Sequence, residues 1–426
     1  MIRRPFFGLG KPRLAYTLIE SAEQVLEIPL PNKITLLQKY TNAGAGDIIL
    51  KKGENVKTGQ RVRLLTGEKH CPVSSATGTI SDISQDVGYL GQSFTAVSIE
   101  TSKNDQWDTE FSEVSKTPNM VNALQFLSSL PGTYDFVPLL NEQAPVDTII
   151  ITGVDKDLLV TTNQLIIKTG TADLSAGVEY LKTITGAGRI IIVVPPGLES
   201  QAGKSGAEVK VIEPVYPNTF PGLIMKNILG KVVPQGKSYE EMGVGFISAE
   251  AVAALNTAFT DGKVPISKVL TVITKDYKSV NVRARIGTPI KDIFKALNLE
   301  ISHGDRLVLG GPMSGQAVYS EDIPVLPDTD AVMIQDKEQI QAGSDNHCIN
   351  CGECVRACPA NIPVNMLVRL LENGLYEEAV KEYDLLACLE CGLCSYVCTG
   401  RIPILHYIML GKHEFALIES MEESNA

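Results

Sequence analysis

Residues 348–358 read CINCGECVRAC, and residues 388–398 read CLECGLCSYVC. Both follow the spacing C-x2-C-x2-C-x3-C, forty residues apart, and even the filler matches. Such a repeat is the pattern of a module holding two [4Fe–4S] clusters. Three thiolates on one tight loop reach three corners of a cubane, while the fourth, on the next element, ligates the other cluster. Gly352 and Gly392 let each loop turn and approach the sulfides. The expected ligand sets are Cys348, Cys351, Cys354 with Cys398, and Cys388, Cys391, Cys394 with Cys358. Structural zinc is the competing reading, but zinc sites are usually built from paired C-x2-C knuckles, not from two complete four-cysteine runs. The second run departs at one place: Pro359 follows the first, Thr399 the second.

Between the runs, Met366, Leu367, Leu370 and Leu371 recur at helical period, and Gly374 is a natural stop. Leu375, Ala379, Val380, Tyr383 and Leu386 then make a second apolar face. Two helices between the runs indicate a ferredoxin module of the helical type. His347 and Arg401 flank the runs; His347 is read as a surface residue, and Arg401 either as solvated or as offsetting the negative charge of the nearby cluster. The acidic tail ESMEESNA is expected to be disordered.

Outward from this module, bulk composition sets bounds. A chain of 426 residues has room for about three domains. The net charge is −11 with no basic block, which argues against nucleic acid as a partner. The N-terminal stretch MIRRPFFGLGKPRLAY is broken by Lys11, Pro12 and Arg13 before a signal-peptide core forms. The strongest apolar runs are far shorter than the roughly 20 residues that cross a bilayer. Eight of nine cysteines fall between 348 and 398, so disulfides are not expected. Cys71 stands apart and reads as a packing residue.

Residues 40–80 carry KKGENVKTGQ and CPVSSATGTI, short strands of a lipoyl- or biotinyl-like sandwich, with turns at Gly53 and Gly59 and with Val56 and Val62 facing inward. Lys69 lies where a swinging-arm domain carries its modified lysine, but no Met-Lys-Met surrounds it, so no prosthetic group is expected. NAGAGD, Asn42 to Asp47, reads as a turn. Residues 147–260 alternate buried strands, DTIIITGV and RIIIVVPP, with helical stretches such as TADLSAGVEYLKTIT, which indicates a parallel α/β unit. KVLTVI and VNVRARIGTPIKDIFKAL read as strands leading into one helix, and GGPMSG, Gly310 to Gly315, as a structural turn.

These pieces in this order resemble the C subunit of the Rnf-type ion-translocating electron transport complex. NVRARIGTPI, LVLGGPMSGQAVYSEDIPV and the double cysteine box carry the resemblance, which covers nearly the whole chain. It implies a multidomain α/β chain in four parts. These are an N-terminal β barrel-sandwich (1–100), a Rossmann-like α/β unit related to the NADH/FMN domain of complex I (101–265), a β-grasp, SLBB-like domain (266–335) and the helical two-cluster ferredoxin (336–426). In the family this subunit takes electrons from NADH through FMN and passes them to membrane partners.

The family binds its cofactors with a glycine-rich loop GxGGAGFP, a segment N-A-x-E-C-E-P and a segment Y-P-Q-G-G-E. Here the first stretch is NALQFLSSLPGTYDFVPLLNEQAPVDTIII, with Gly132 as its one glycine. The second is ITGVDKDLLVTT, with Asp155 and Asp157, and the third is YPNTFPGL, Tyr216 to Leu223. All three have changed together. The expectation is a relay through two [4Fe–4S] clusters, with no FMN and no NADH site, fed by a cytochrome, ferredoxin or flavoprotein. It would sit with other subunits of an Rnf-like complex on the cytoplasmic side of the inner membrane, as a peripheral protein. Two alternatives stay open: an NADH-oxidising FMN subunit, and a soluble ferredoxin-type adaptor.

Overall fold

The isoleucine-rich runs form adjacent parallel strands, Thr148–Thr152 and Arg189–Val194. In the computed structural model, which describes residues 11–20, 24–39, 49–64, 71–133, 136–141, 145–344 and 346–425, they lie in a four-stranded parallel sheet. Its order is Glu208–Val211, Arg189–Val194, Thr148–Thr152, Val244–Ser248. Strands covered on both faces need nearly continuous apolar sequence, which the two central ones have. Helices Thr171–Thr185 and Ala249–Asp261 pack on Ile149, Ile151, Ile190 and Ile192, and Pro221–Leu229 covers the opposite face through Ile224 and Met225. The helix expected over 171–185 has those bounds and ends at Gly186 in the left-handed region. The strand order reverses between Thr148–Thr152 and Val244–Ser248, which opens a crevice at their carboxyl ends.

A second sheet orders Lys33–Lys39, Ser93–Thr101, Gly78–Val87 and Asn55–Val56 around a core that includes Ile34, Val56, Val62, Val97 and Ile99. Gly53 and Gly59 take positive φ at its turns. The turn expected at Asn42–Asp47 and Lys69 lie outside the described residues, as does the stretch 1–10. A third, mixed sheet of six strands orders Leu26–Glu27, Ser279–Arg285, Ser267–Ile273, Ala331–Gln335, Arg306–Leu309 and Gln316–Val318. Helix Ile290–Ala296 packs on it through Ile290, Ile293 and Phe294. The N-terminal residues thread between units: Ala15 bridges Val215, and Leu26 pairs with Val282.

The C-terminal region is helical: Glu353–Ala357, Val364–Glu372, Tyr376–Tyr383, Leu393–Val397 and Ile404–Asn425 enclose Ile362, Leu367, Leu371, Val380, Leu385 and Ile408. Leu375, read as part of an apolar face, is exposed at the N-cap of its helix. The acidic tail continues the last helix through Asn425, since neither glycine nor proline interrupts it after Gly411. The whole is a mixed α/β chain of several sheets with a ferredoxin-like C-terminus. No helix among the described residues is long and apolar enough to cross a membrane.

Candidate functional site

Each cysteine run forms a loop closed by one short helix. Asn350 and Glu390 both take φ of +57°, and Gly352 and Gly392 follow at +74° and +72°. These left-handed turns swing the first three cysteines of each run to one side. The two runs fold as copies: Arg356 N–H donates to the Gly352 carbonyl as Tyr396 N–H does to Gly392, and Cys358 to Val355 as Cys398 to Ser395. Each run leaves through Ile-Pro, at Ile362–Pro363 and Ile402–Pro403, into a helix that supplies the floor.

Cys348, Cys351, Cys354 and Cys398 line one cavity, with Val368, Ile402 and Ile404. Cys358, Cys388, Cys391 and Cys394 line another, with Val364, Leu405 and Ile408. Each cavity therefore gathers three thiols from one run and one from the other. Among the described residues, no three His, Cys, Asp or Glu side chains are placed to hold a single metal ion. Four soft sulfur donors around an apolar cavity fit an iron–sulfur cluster.

Burial pushes the Cys354 thiol up to about 11, and mutual repulsion with Cys348, Cys351 and Cys398 adds to it. The same two causes raise Cys391 to about 12, with Cys388 and Cys358 as neighbours, and raise Cys394 further. Binding iron must therefore displace protons, and the metal's positive charge would offset the repulsion.

The two cavities differ in their surroundings. Cys351 is exposed and Cys348 and Cys398 are half-buried, with the Thr399 hydroxyl 3.8 Å from Cys351 Sγ. Thus the residue that breaks the Cys-Pro pattern brings a hydroxyl toward the first set. The second set faces the α/β unit. The Tyr216 hydroxyl donates to the Cys391 carbonyl at 2.6 Å, and the Tyr216 ring lies between a tilted Tyr16 ring and an edge-on Phe220 ring, both with centroids at 5.6 Å. Gly392 lies so close to the Met313 carbonyl that a Cβ there would overlap it. His347 and Arg401 are exposed. Sequence reading missed Lys412, whose Nζ donates to the Cys388 carbonyl at 2.8 Å and to Glu390 at 2.7 Å. It sits one helix beyond the box, and only its place forty residues after Glu372 in the repeat marks it.

A family model described as a 4Fe-4S dicluster domain matches residues 332–402. The C subunit of a proton-translocating ferredoxin:NAD(+) oxidoreductase complex from Clostridium ljungdahlii is 27% identical over 419 residues, covering 92% of this chain and 91% of that protein. The C subunit of an ion-translocating oxidoreductase complex from Pectobacterium carotovorum is 26% identical, over 79% of this chain and 48% of its own length. The chain is similar to the C subunits of ion-translocating oxidoreductase complexes. A NAD+-reducing [NiFe]-hydrogenase in its H2-reduced state superposes with a TM-score of 0.47 at 12% identity, covering 70% of this chain and 64% of that one.

Two of the three segments singled out in the sequence, around Gly132 and around Asp155, lie at the carboxyl ends of the parallel strands, while Tyr216–Leu223 packs against the second cysteine loop. Leu127, Leu130 and Phe136 of the first segment are buried in the core of the α/β unit. Gly132 sits against Ser248 and Glu250, at the carboxyl end of Val244–Ser248, and its N–H donates to Pro327. Ser248 caps helix Ala249–Asp261 by accepting from Ala251 N–H. Glu250 accepts from Val269 N–H at 2.6 Å and pairs with Lys268, which also reaches Asp330 at 2.9 Å. Burial disfavours the Lys268 charge, but Asp330 and Glu250 outweigh it and hold its pKa above the usual range.

The other helix start at this edge is also taken. Asp155 accepts from Asn163 N–H at 2.7 Å and from Gln164 Nε2 at 3.2 Å. Burial with little charge compensation raises Asp155 to about 7. Asp157 accepts from the N–H groups of Met313 and Ser314 and from the Ser314 hydroxyl, pinning the GGPMSG turn. Burial raises Asp157 as well.

Proposed function

We propose that this chain is an iron–sulfur electron-transfer subunit of an Rnf-like, membrane-associated complex. It relays electrons through two [4Fe–4S] clusters and takes them from a protein donor rather than from NADH. The observation that carries the relay is the pair of four-cysteine cavities, each sharing a thiol with the opposite run. Cys348, Cys351, Cys354 and Cys398 hold one cluster; Cys388, Cys391, Cys394 and Cys358 hold the other. When bound, each cluster supplies a site for one electron at a time. The chain's own residues hold the thiols, close the second site with Tyr216 and Met313, and leave the first near solvent.

The reading without NADH is supported by the crevice. Phosphate and flavin sites in such sheets use free helix N-termini and a glycine-rich loop at the point of strand reversal. Here Ser248 caps one helix start, Asp155 accepts from the other, and the Leu130–Thr133 turn lies over the first. The α/β unit then acts as a scaffold for the second cluster. The reading divides the chain into four parts at about residues 100, 265 and 335, although strand Leu26–Glu27 of the first part pairs into the six-stranded sheet of the third; FMN is absent and the chain is held peripherally on the cytoplasmic side by its partner subunits. The donor is a cytochrome, ferredoxin or flavoprotein.

One observation favours a second reading, an NADH-oxidising FMN subunit: a relative matched over 92% of this chain carries NAD(+) in its name. Anaerobic reduction separates the two. Dithionite should bleach the visible band of the purified protein and NADH should leave it unchanged. Bleaching by NADH alone would overturn the proposal.

A further inference from the structure

Under the forty-residue repeat, Lys412 corresponds to Glu372 and Glu390 to Asn350. The residue two after the first cysteine is tied down in both copies, but by different chemistry. In the first loop, Asn350 accepts from Asn365 Nδ2 at 2.8 Å, a neutral pair. In the second, Lys412 holds Glu390 and also the carbonyl of Cys388, a ligand of the second proposed cluster. The first loop has a cation of its own: Arg356 donates to the Cys351 carbonyl at 3.1 Å. That arginine pairs with Glu353 on its own turn and its side chain is 47% exposed, against 20% for Lys412. Water screens an exposed charge far more than a partly buried one.

We propose that Lys412 is an electrostatic tuning residue that raises the reduction potential of the cluster held by Cys358, Cys388, Cys391 and Cys394. The inference rests on the two-cluster reading. Reduction adds one electron, supplied by the donor protein, to a group already ligated by four thiolates. At the second cavity Cys358, Cys391 and Cys394 are buried, so little water is at hand to solvate the added negative charge. An ammonium fixed beside Cys388 stabilises that charge, and Glu390 opposes it. Without Lys412, burial would make the inner site much harder to reduce than the solvent-facing one, and an electron would stall between them.

The test is a potentiometric titration of the intact chain followed by EPR, on the wild type and on Lys412→Gln, Glu390→Gln and Arg356→Gln. Lys412→Gln should weaken reduction of one cluster on the order of tenfold, about 59 mV lower for one electron. Glu390→Gln should move the same midpoint upward, and Arg356→Gln should leave it in place. The inference fails if Lys412→Gln and Glu390→Gln leave both midpoints unmoved or shift one in the same direction. It fails equally if Arg356→Gln shifts that midpoint as far as Lys412→Gln does. Should Lys412→Gln lose a cluster, Lys412→Arg decides: keeping the charge must keep the wild-type midpoint. Wild-type iron separates the two failures. Fewer than about eight irons per chain refutes the two-cluster reading itself, whereas about eight irons with unmoved potentials refutes the tuning role alone.

Discussion

Asp155 and Asp157 stand two residues apart, and both are buried where the sheet ends. Asp157 has three donors from the 310–315 turn, while Asp155 faces the start of helix Thr162–Thr169. With its carboxyl raised to about 7 from an ordinary value near 3.8, Asp155 keeps its proton in the folded chain where the unfolded chain has released it. Its contribution to stability is therefore greatest below the ordinary carboxylate range and declines as pH rises toward 7. Asp155→Asn should remove that slope, so its Tm relative to wild type should rise between pH 4.5 and 7.5. A pH-independent difference would contradict the assignment. The cysteines give a sharper test at this scale. Cys351→Ala and Cys391→Ala each strip one cavity, so each variant should retain about four irons of about eight. Full iron in either variant would refute the ligand sets. The repeat in the sequence points to the proposed sets, and the cysteines of each set line one cavity. Lys412 was not, because its partner Cys388 lies 24 residues away on another element.

At the scale of elements, the two cysteine loops are near-identical backbones in different settings. Gly352 and Gly392 both need positive φ, which costs a residue with a Cβ roughly 1–2 kcal/mol. Only Gly392 also meets a neighbouring backbone, the Met313 carbonyl; at Gly352 the nearest atom is the flexible end of Arg356. Gly392→Ala should therefore lower Tm distinctly more than Gly352→Ala, and equal losses would mean that the loop does not dock on the α/β unit as described. Tyr216→Phe tests the same contact from the other side. Leaving the Cys391 carbonyl without its donor should cost about 1–3 kcal/mol, measured by denaturant unfolding. Strands 148–152 and 189–194 and helix 171–185 were readable from apolar runs and period, because burial on both faces or on one stripe writes itself into local sequence. The docking of the second loop was not readable, since it depends on Tyr16, Tyr216 and Met313, which come from three distant stretches. Nor was the tail: its charge suggested disorder, yet nothing in it stops a helix already under way.

Across the whole molecule, the crevice joins the α/β unit to the six-stranded sheet through Lys268, Glu250 and Asp330. Lys268 is fully buried, so removing it leaves carboxylates without their counter-charge. Lys268→Met should destabilise the chain by about 3–5 kcal/mol in equilibrium unfolding, whereas a loss below about 1 kcal/mol would mean that this junction is not tight. The stretch at 122–151 departs in sequence from the family's glycine-rich loop, but the sequence does not say what stands there instead. That answer lies in contacts spanning more than a hundred residues, such as Gly132 against Ser248. The central claim is the proposed two-cluster relay without a bound flavin, and the most direct measurement is iron and flavin content of the purified chain reconstituted with iron, sulfide and excess FMN. The account predicts about eight irons and no retained flavin. One FMN held per chain after desalting would contradict it.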